Sequence, residues 1–150
     1  MSSSDYARDV LIVDGARTPF LRDMGKQGPF SASDLAVAAS RSLLSRQPIN
    51  ASDLAQVILG CAMPRPDEAT IGRVAALRLG CGHKTTGWTV MRNCASAMQA
   101  LDSTAKDIAI GRSELVLAGG TEAMSRAPLI YNDKAVAWFS ASDKARQPAD

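Results

Sequence analysis

The chain has 150 residues, 46% hydrophobic and 21% charged, with a net charge of +2 at neutral pH. That length and balance fit one domain with a sizeable core. The 17 basic side chains are scattered and aromatic residues are few, which argues against nucleic acid as a partner; no apolar run nears the roughly 20 residues that span a bilayer. Met1 to Asp9 is polar and lacks the apolar centre of a secretory signal, and its Asp5 and Asp9 argue against a transit peptide. A cytoplasmic protein with three free thiols is therefore expected.

In chain order, Val10-Leu11-Ile12-Val13 is a short continuous apolar run, as in a strand buried on both faces. Gly15 to Phe30 reads as a loop. Ser31 and Asp34 form a weak capping box, which opens a helix over Leu35–Arg46 with an apolar stripe at Leu35, Ala38, Ala39 and Leu43. Val57–Leu59, leading into Gly60-Cys61, is the second strand expected. Pro64 and Pro66 break the chain, Thr70 is placed to cap a helix over Ile71–Leu79, and Gly80 to end it. Cys81 and His83 fall in a glycine-punctuated loop, where His83 reads as a solvated residue. Trp88–Met91 is the third strand, Ala95–Ile110 the third helix and Leu115–Ala118 the fourth strand, closed by Gly119-Gly120. Alternation of this kind predicts an α/β fold with a mostly parallel sheet and helices on both faces. Asp14-Gly15, Gly60-Cys61, Cys94 and Gly119-Gly120 then follow carboxyl ends of strands, where ligands of such sheets collect. The helix after Cys94 is Ala-rich and reads as packed on several sides, with Asp102, Lys106 and Asp107 toward water. Trp138-Phe139 looks exposed, and Ser140 to Asp150 reads as a polar end.

Cys94 is the candidate catalytic residue. A thiol at the first turn of a helix faces unpaired backbone N–H groups and the positive end of the dipole. Both favour thiolate, the nucleophilic form. The plain alternative is a small buried cysteine without chemistry, the commoner case for an arbitrary Cys at a strand-to-helix junction. A metal is not expected: there is no Cys-x-x-Cys and no paired His, and Cys81-Gly-His83 is isolated.

Three motifs decide between the two readings of Cys94. Asn93-Cys94-Ala95-Ser96-Ala97-Met98-Gln99-Ala100 is followed by Gly119-Gly120-Thr121-Glu122-Ala123-Met124-Ser125, and Val13-Asp14-Gly15-Ala16-Arg17-Thr18-Pro19-Phe20 precedes both. In this order they resemble the N-terminal half of a thiolase, over about Val10 to Leu129. The resemblance implies the first of two similar α/β halves that stack in five layers. Residues 1–125 would form that half, and 126–150 the start of an inserted loop domain or a disordered end. It implies that Cys94 takes an acyl group from an acyl-CoA as a thioester, its backbone N–H serving as one oxyanion donor. Coenzyme A and acyl-CoA would be substrates, with no permanently bound cofactor. The reaction would be thiolytic cleavage of 3-ketoacyl-CoA, as in fatty-acid β-oxidation, or condensation of acetyl-CoA. At full length a homodimer or homotetramer is implied.

In that family the activating His lies in a Gly-His-Pro segment. The second Cys and second oxyanion donor lie in a Cys-x-Gly segment. Neither segment occurs in these 150 residues, so a fragment or truncated product is expected, inactive alone. The family usually has Gly where this chain has Ala97. The extra methyl either tightens the pocket or sits harmlessly in a helix, where Ala is favoured over Gly by about 1 kcal/mol. Two alternatives stay open: another Cys-nucleophile condensing enzyme of the same fold, such as a ketoacyl synthase or hydroxymethylglutaryl-CoA synthase, and a non-catalytic scaffold that binds acyl chains or a partner subunit.

Overall fold

The computed structural model of the chain describes residues 8–143. Three strands, β1 (Gln56–Gly60), β2 (Thr86–Val90) and β3 (Val116–Gly120), form one parallel sheet in the order β2-β1-β3. The register runs unbroken, from Gln56 beside Thr86 and Val116 to Gly60 beside Val90 and Gly120. Helices α1 (Ala32–Leu44) and α2 (Ile71–Leu79) pack against each other over one face, with α2 on β1 and β2; α3 (Ser96–Ala109) covers β1 and β3 on the other. The chain moves from β1 to β2 through α2, then back across β1 to β3 through α3. Reversing the direction of travel puts the second crossover on the opposite face, as right-handed connections require.

Side-chain alternation along β1 divides the core. Val57, Leu59 and Cys61 face α1 and α2, joined by Ala36, Val37, Ile71, Ala75, Ala76 and Leu117. Ile58, fully buried, and Gly60 point to the other face, where Gly60 lies under Ser96 of α3. Burying a side chain such as Ile58 is worth about 1.5–3 kcal/mol. Gln56 begins the same row and is buried with every polar atom matched. Its Nε2 donates to Asp107 Oδ2 (3.0 Å) and Ser113 Oγ (2.6 Å), and its Oε1 accepts from Trp88 Nε1 (3.2 Å).

Local signals act as expected at several ends. Ser31 Oγ accepts from the Asp34 N–H and Asp34 Oδ2 from the Ser31 N–H, closing the capping box of α1. Gly80 ends α2 in the left-handed conformation at φ 82°. Arg78 of α2 reaches Ser33 Oγ (2.8 Å) and Asp34 Oδ1 (2.7 Å), tying α2 to the start of α1. The Ser31 N–H, and after it Arg78, hold the Asp34 carboxyl below the usual carboxylate range. Thr70 sits at the N-cap of α2, but its side chain makes no capping bond.

The expected first strand is not one. Val10–Val13 is irregular and exposed, with Leu11 at 78% and Ile12 at 87%. A strand must pair its N–H and C=O groups, and no neighbour for it exists among the described residues. Among the described residues β3 is hydrogen-bonded to β1 alone, so no strand there pairs its outer edge. Asp14-Gly15 consequently follows no strand. Asp14 instead accepts from Arg46 (3.1 Å) and Gln47 (2.7 Å), just past the C-terminal end of α1. The helix after Cys94 also differs from its reading. It is buried along one stripe only, Ser96-Ala100-Thr104, while Met98 and Leu101 stay exposed. Asp107, expected toward water, turns inward with its side chain 13% exposed, held by Gln56 and by Arg112 Nη1 at 2.9 Å.

Toward the end of the chain, α4 spans Asp133–Ser142, capped by Asn132 Oδ1 on the Ala135 N–H at 3.0 Å. It carries the exposed Trp138 and Phe139 edge to face, with ring centroids 5.0 Å apart. Of the expected polar end, 144–150 lie outside the described residues, as does most of the polar N-terminal stretch. Among the described residues no helix is long and apolar enough to cross a membrane.

Candidate active site

The carboxyl ends of β1 and β2 are adjacent, and the connections that follow them leave to opposite faces of the sheet. Such a divergence opens a crevice at those ends. β2 delivers Met91 to Ala95 there, and Cys94 occupies the middle of this turn, exposed. α3 begins at Ser96, two residues beyond Cys94, so the thiol precedes the helix rather than lying within its first turn. The N-cap residue Ala95 has no side-chain capping bond to offer. The Cys94 N–H itself donates to no acceptor among the described residues. A free amide beside an exposed thiol is the pairing that an acyl carbonyl requires: a nucleophile for its carbon and a donor for the oxyanion that forms.

The turn is tight. Asn93 is the one non-glycine at positive φ (49°) among the described residues, and Asn tolerates this region better than most residue types. Ser96 Oγ accepts from the Arg92 N–H at 2.7 Å and donates to the Asn93 C=O at 2.7 Å. Ala95 N–H reaches Arg92 O (3.0 Å) and Ser96 N–H reaches Asn93 O (3.1 Å), completing two short turns around Cys94.

Glycines lower the floor beneath it. A Cβ on Gly60 would lie 2.5 Å from Ala97 N and overlap the Ser96 carbonyl. Next to Gly60, Cys61 is buried, its Sγ donating to Glu122 Oε1 at 3.4 Å, while Glu122 Oε2 accepts from the Ala62 N–H at 2.8 Å. Burial first, and then the Glu122 charge, pushes the Cys61 thiol up to about 12. Cys81, expected in an open loop, is buried too, and burial raises its pKa. Its N–H bonds to Ala76 O (3.0 Å), which folds the loop back against α2.

Of the motif residues, the structure brings Gly60-Cys61, Cys94 and Gly119-Gly120 to one edge of the sheet and leaves Asp14-Gly15 elsewhere. His83 is exposed and precedes β2, whereas Cys94 follows it. Five strand residues separate the two ends by roughly 16 Å at about 3.3 Å per residue, too far for a proton to pass directly.

Residues 10–148 match the thiolase N-terminal domain. The chain belongs to the thiolase family. It is 40% identical over 135 residues to the 3-oxoadipyl-CoA/3-oxo-5,6-dehydrosuberyl-CoA thiolase of Escherichia coli K12, covering 89% of this chain and 33% of that protein. It is 35% identical over 127 residues to the mitochondrial trifunctional enzyme subunit beta of Homo sapiens, covering 85% and 27%. Among solved structures, the acetyl-CoA acetyltransferase of Bacillus anthracis superposes with a TM-score of 0.78 at 35% identity, covering 87% of this chain and 33% of that one. The chain thus spans about a third of the length of these relatives.

In this thiolase chain the methyl group of Ala97 lies against β3: a Cβ on Gly120 would sit 2.5 Å from Ala97 Cβ. The departure at Ala97 is therefore met by a glycine on the facing strand. A cleft of about 750 Å³ lies between the loop after Asp14, α1 and the end of β3, but Cys94 does not line it.

The three thiols should separate cleanly under limiting iodoacetamide at neutral pH. Cys94 is expected to be alkylated first, because the other two are buried and held as thiols. Peptide mapping of the labelled chain reads the order. Labelling of Cys61 or Cys81 as fast as Cys94 would contradict this placement of the thiols.

Proposed function

We propose that this chain is the nucleophile-bearing part of an acyl-CoA:acetyl-CoA C-acyltransferase. The observation that carries the reading is the exposed Cys94, set on a tight turn at the sheet's carboxyl edge with its own N–H unbonded among the described residues. The Cys94 sulfur attacks the acyl carbonyl carbon of an acyl-CoA, and its N–H donates to the oxyanion. With acetyl-CoA, the acyl–sulfur bond to CoA breaks as the bond to Cys94 forms, and CoA leaves as the thiol once it takes a proton. With 3-ketoacyl-CoA, attack is at the keto carbon and the neighbouring carbon–carbon bond breaks, releasing acetyl-CoA after protonation. CoA then takes the acyl group from Cys94. Thiolester exchange suits cysteine because the entering and leaving sulfur atoms have similar leaving ability.

Residues 1–125 act as the α/β half in this reading, and 126 onward begins an inserted segment. A cytoplasmic setting agrees with three free cysteines. At full length the reading includes a homodimer or homotetramer.

The test is acyl trapping. Full-length protein mixed with acetyl-CoA and quenched in acid should carry one acetyl group on the peptide that contains Cys94, removable by hydroxylamine. A Cys94→Ala variant should carry none. Acetyl on another residue, or on none, would remove the assignment.

A further inference from the structure

We propose that Ser96 is a positioning residue that holds Cys94 in its working geometry; this rests on the acyltransferase reading above. Ser96 is 4% exposed, so its hydroxyl must find partners inside the protein. It finds two, and both belong to the turn that carries the nucleophile: it accepts from the Arg92 N–H and donates to the Asn93 C=O, each at 2.7 Å. Those peptide groups lie just before Cys94 and fix the approach of the chain to it. Asn93 needs such a hold, since its φ of 49° is a conformation that side-chain-bearing residues adopt at some cost. One hydroxyl at the first residue of α3 thus couples the helix to the loop, and the thiol rides between the two anchored ends. Gly60 makes this possible, because any side chain there would lift the Ser96 backbone off β1. Alanine at 96 keeps the volume nearly unchanged and removes both side-chain bonds, which leaves the turn held by its two backbone bonds alone without emptying the core.

The expected signature is kinetic. In the full-length protein, Ser96→Ala should lower kcat about 10- to 100-fold while KM for the acyl-CoA stays within about twofold, since orientation rather than binding is lost. Ser96→Thr, which retains the hydroxyl, should recover most of that loss. In the 150-residue chain, alkylation of Cys94 by iodoacetamide should slow at least about threefold in Ser96→Ala. This second arm uses no acyl-CoA, so it reports on the hold even if the acyltransferase reading fails. Hydrogen exchange of the unsubstituted protein is independent of how the variants fold: the Arg92 amide should be protected. Unchanged kcat per folded molecule, a Thr variant no better than the Ala variant, unchanged alkylation, or rapid exchange at Arg92 would each overturn the proposal.

Discussion

The 150-residue chain is expected to show no thiolysis of acetoacetyl-CoA above the level of a full-length Cys94→Ala variant. In the proposed reading its described residues supply one nucleophile and one amide donor, while the Glu122 carboxylate is taken up by Cys61 and the Ala62 N–H. The single histidine lies at the other end of β2, and Cys61, the thiol nearest in the fold to the strand ends, is buried and paired with Glu122. In the proposed reaction a proton must leave Cys94 before attack, and another must reach the departing group. Groups of this kind work as a unit, so losing the partners costs roughly 10⁴-fold or more rather than a share of the rate. The assay follows acetoacetyl-CoA absorbance with CoA for the chain, the full-length protein and the full-length Cys94→Ala variant. Turnover by the chain clearly above that variant would mean that a complete site exists within these residues. Trapped acetyl-Cys94 without turnover would agree with this expectation, because a slow single acylation can proceed from the small thiolate fraction present in water.

The sequence carried the sheet well where burial is decided locally. β1 and β3 contain short apolar runs and β2 carries Trp88, Thr89 and Val90, residue types that suit a strand; each lies within one or two residues of its expected place. Val10–Val13 has the same composition and no strand. Hydrophobicity states that a segment needs cover, whereas pairing depends on which other segment is near, and among the described residues none is. The same limit explains Asp107 and Cys81. Asp107 is turned inward by Gln56, which stands 51 positions earlier, and Cys81 is folded under α2 by a backbone bond that glycine punctuation conceals. Helix α4 was not anticipated, although Asn132 is a good N-cap residue, because Trp138 and Phe139 show no periodic stripe around them.

The candidate site was legible to a similar degree. A cysteine between a strand and a helix could be read from residue types alone, as could the glycines at the strand ends. The hold on the turn could not. An Asn before the Cys is a faint signal for positive φ, but nothing in Ser96 distinguishes a clamp from a helix-surface serine. Ala97 posed a choice between a filled pocket and a harmless methyl, and its close approach to Gly120, 23 residues later on β3, is not legible in the sequence.

Gly60 offers the sharpest test of how the sheet positions the thiol. Gly60→Ala should destabilise the chain by about 3 kcal/mol, near the upper end for overpacking. The backbone at Gly60 is not in the left-handed region, so alanine adopts it without torsional strain and the whole cost is steric. The added methyl would meet the Ser96 carbonyl and Ala97 N, which are backbone atoms and cannot rotate aside. Relief therefore requires the start of α3 to move away from β1, taking Ser96 and the Cys94 turn with it. Gly119→Ala is the control. Its methyl would meet only Leu59 Cδ2 at 3.8 Å, an ordinary contact, and reduced freedom of the unfolded chain favours alanine by about 0.4–1 kcal/mol. Urea titrations of the two variants should differ by several kcal/mol although the glycines occupy neighbouring positions at one sheet edge. In Gly60→Ala the hydrogen-exchange protection of the Arg92 amide should fall along with the stability, while Gly119→Ala retains it. Equal stability of the two variants would mean that α3 does not rest on Gly60, and the close approach of helix to sheet would have to be abandoned as the support of the Cys94 turn.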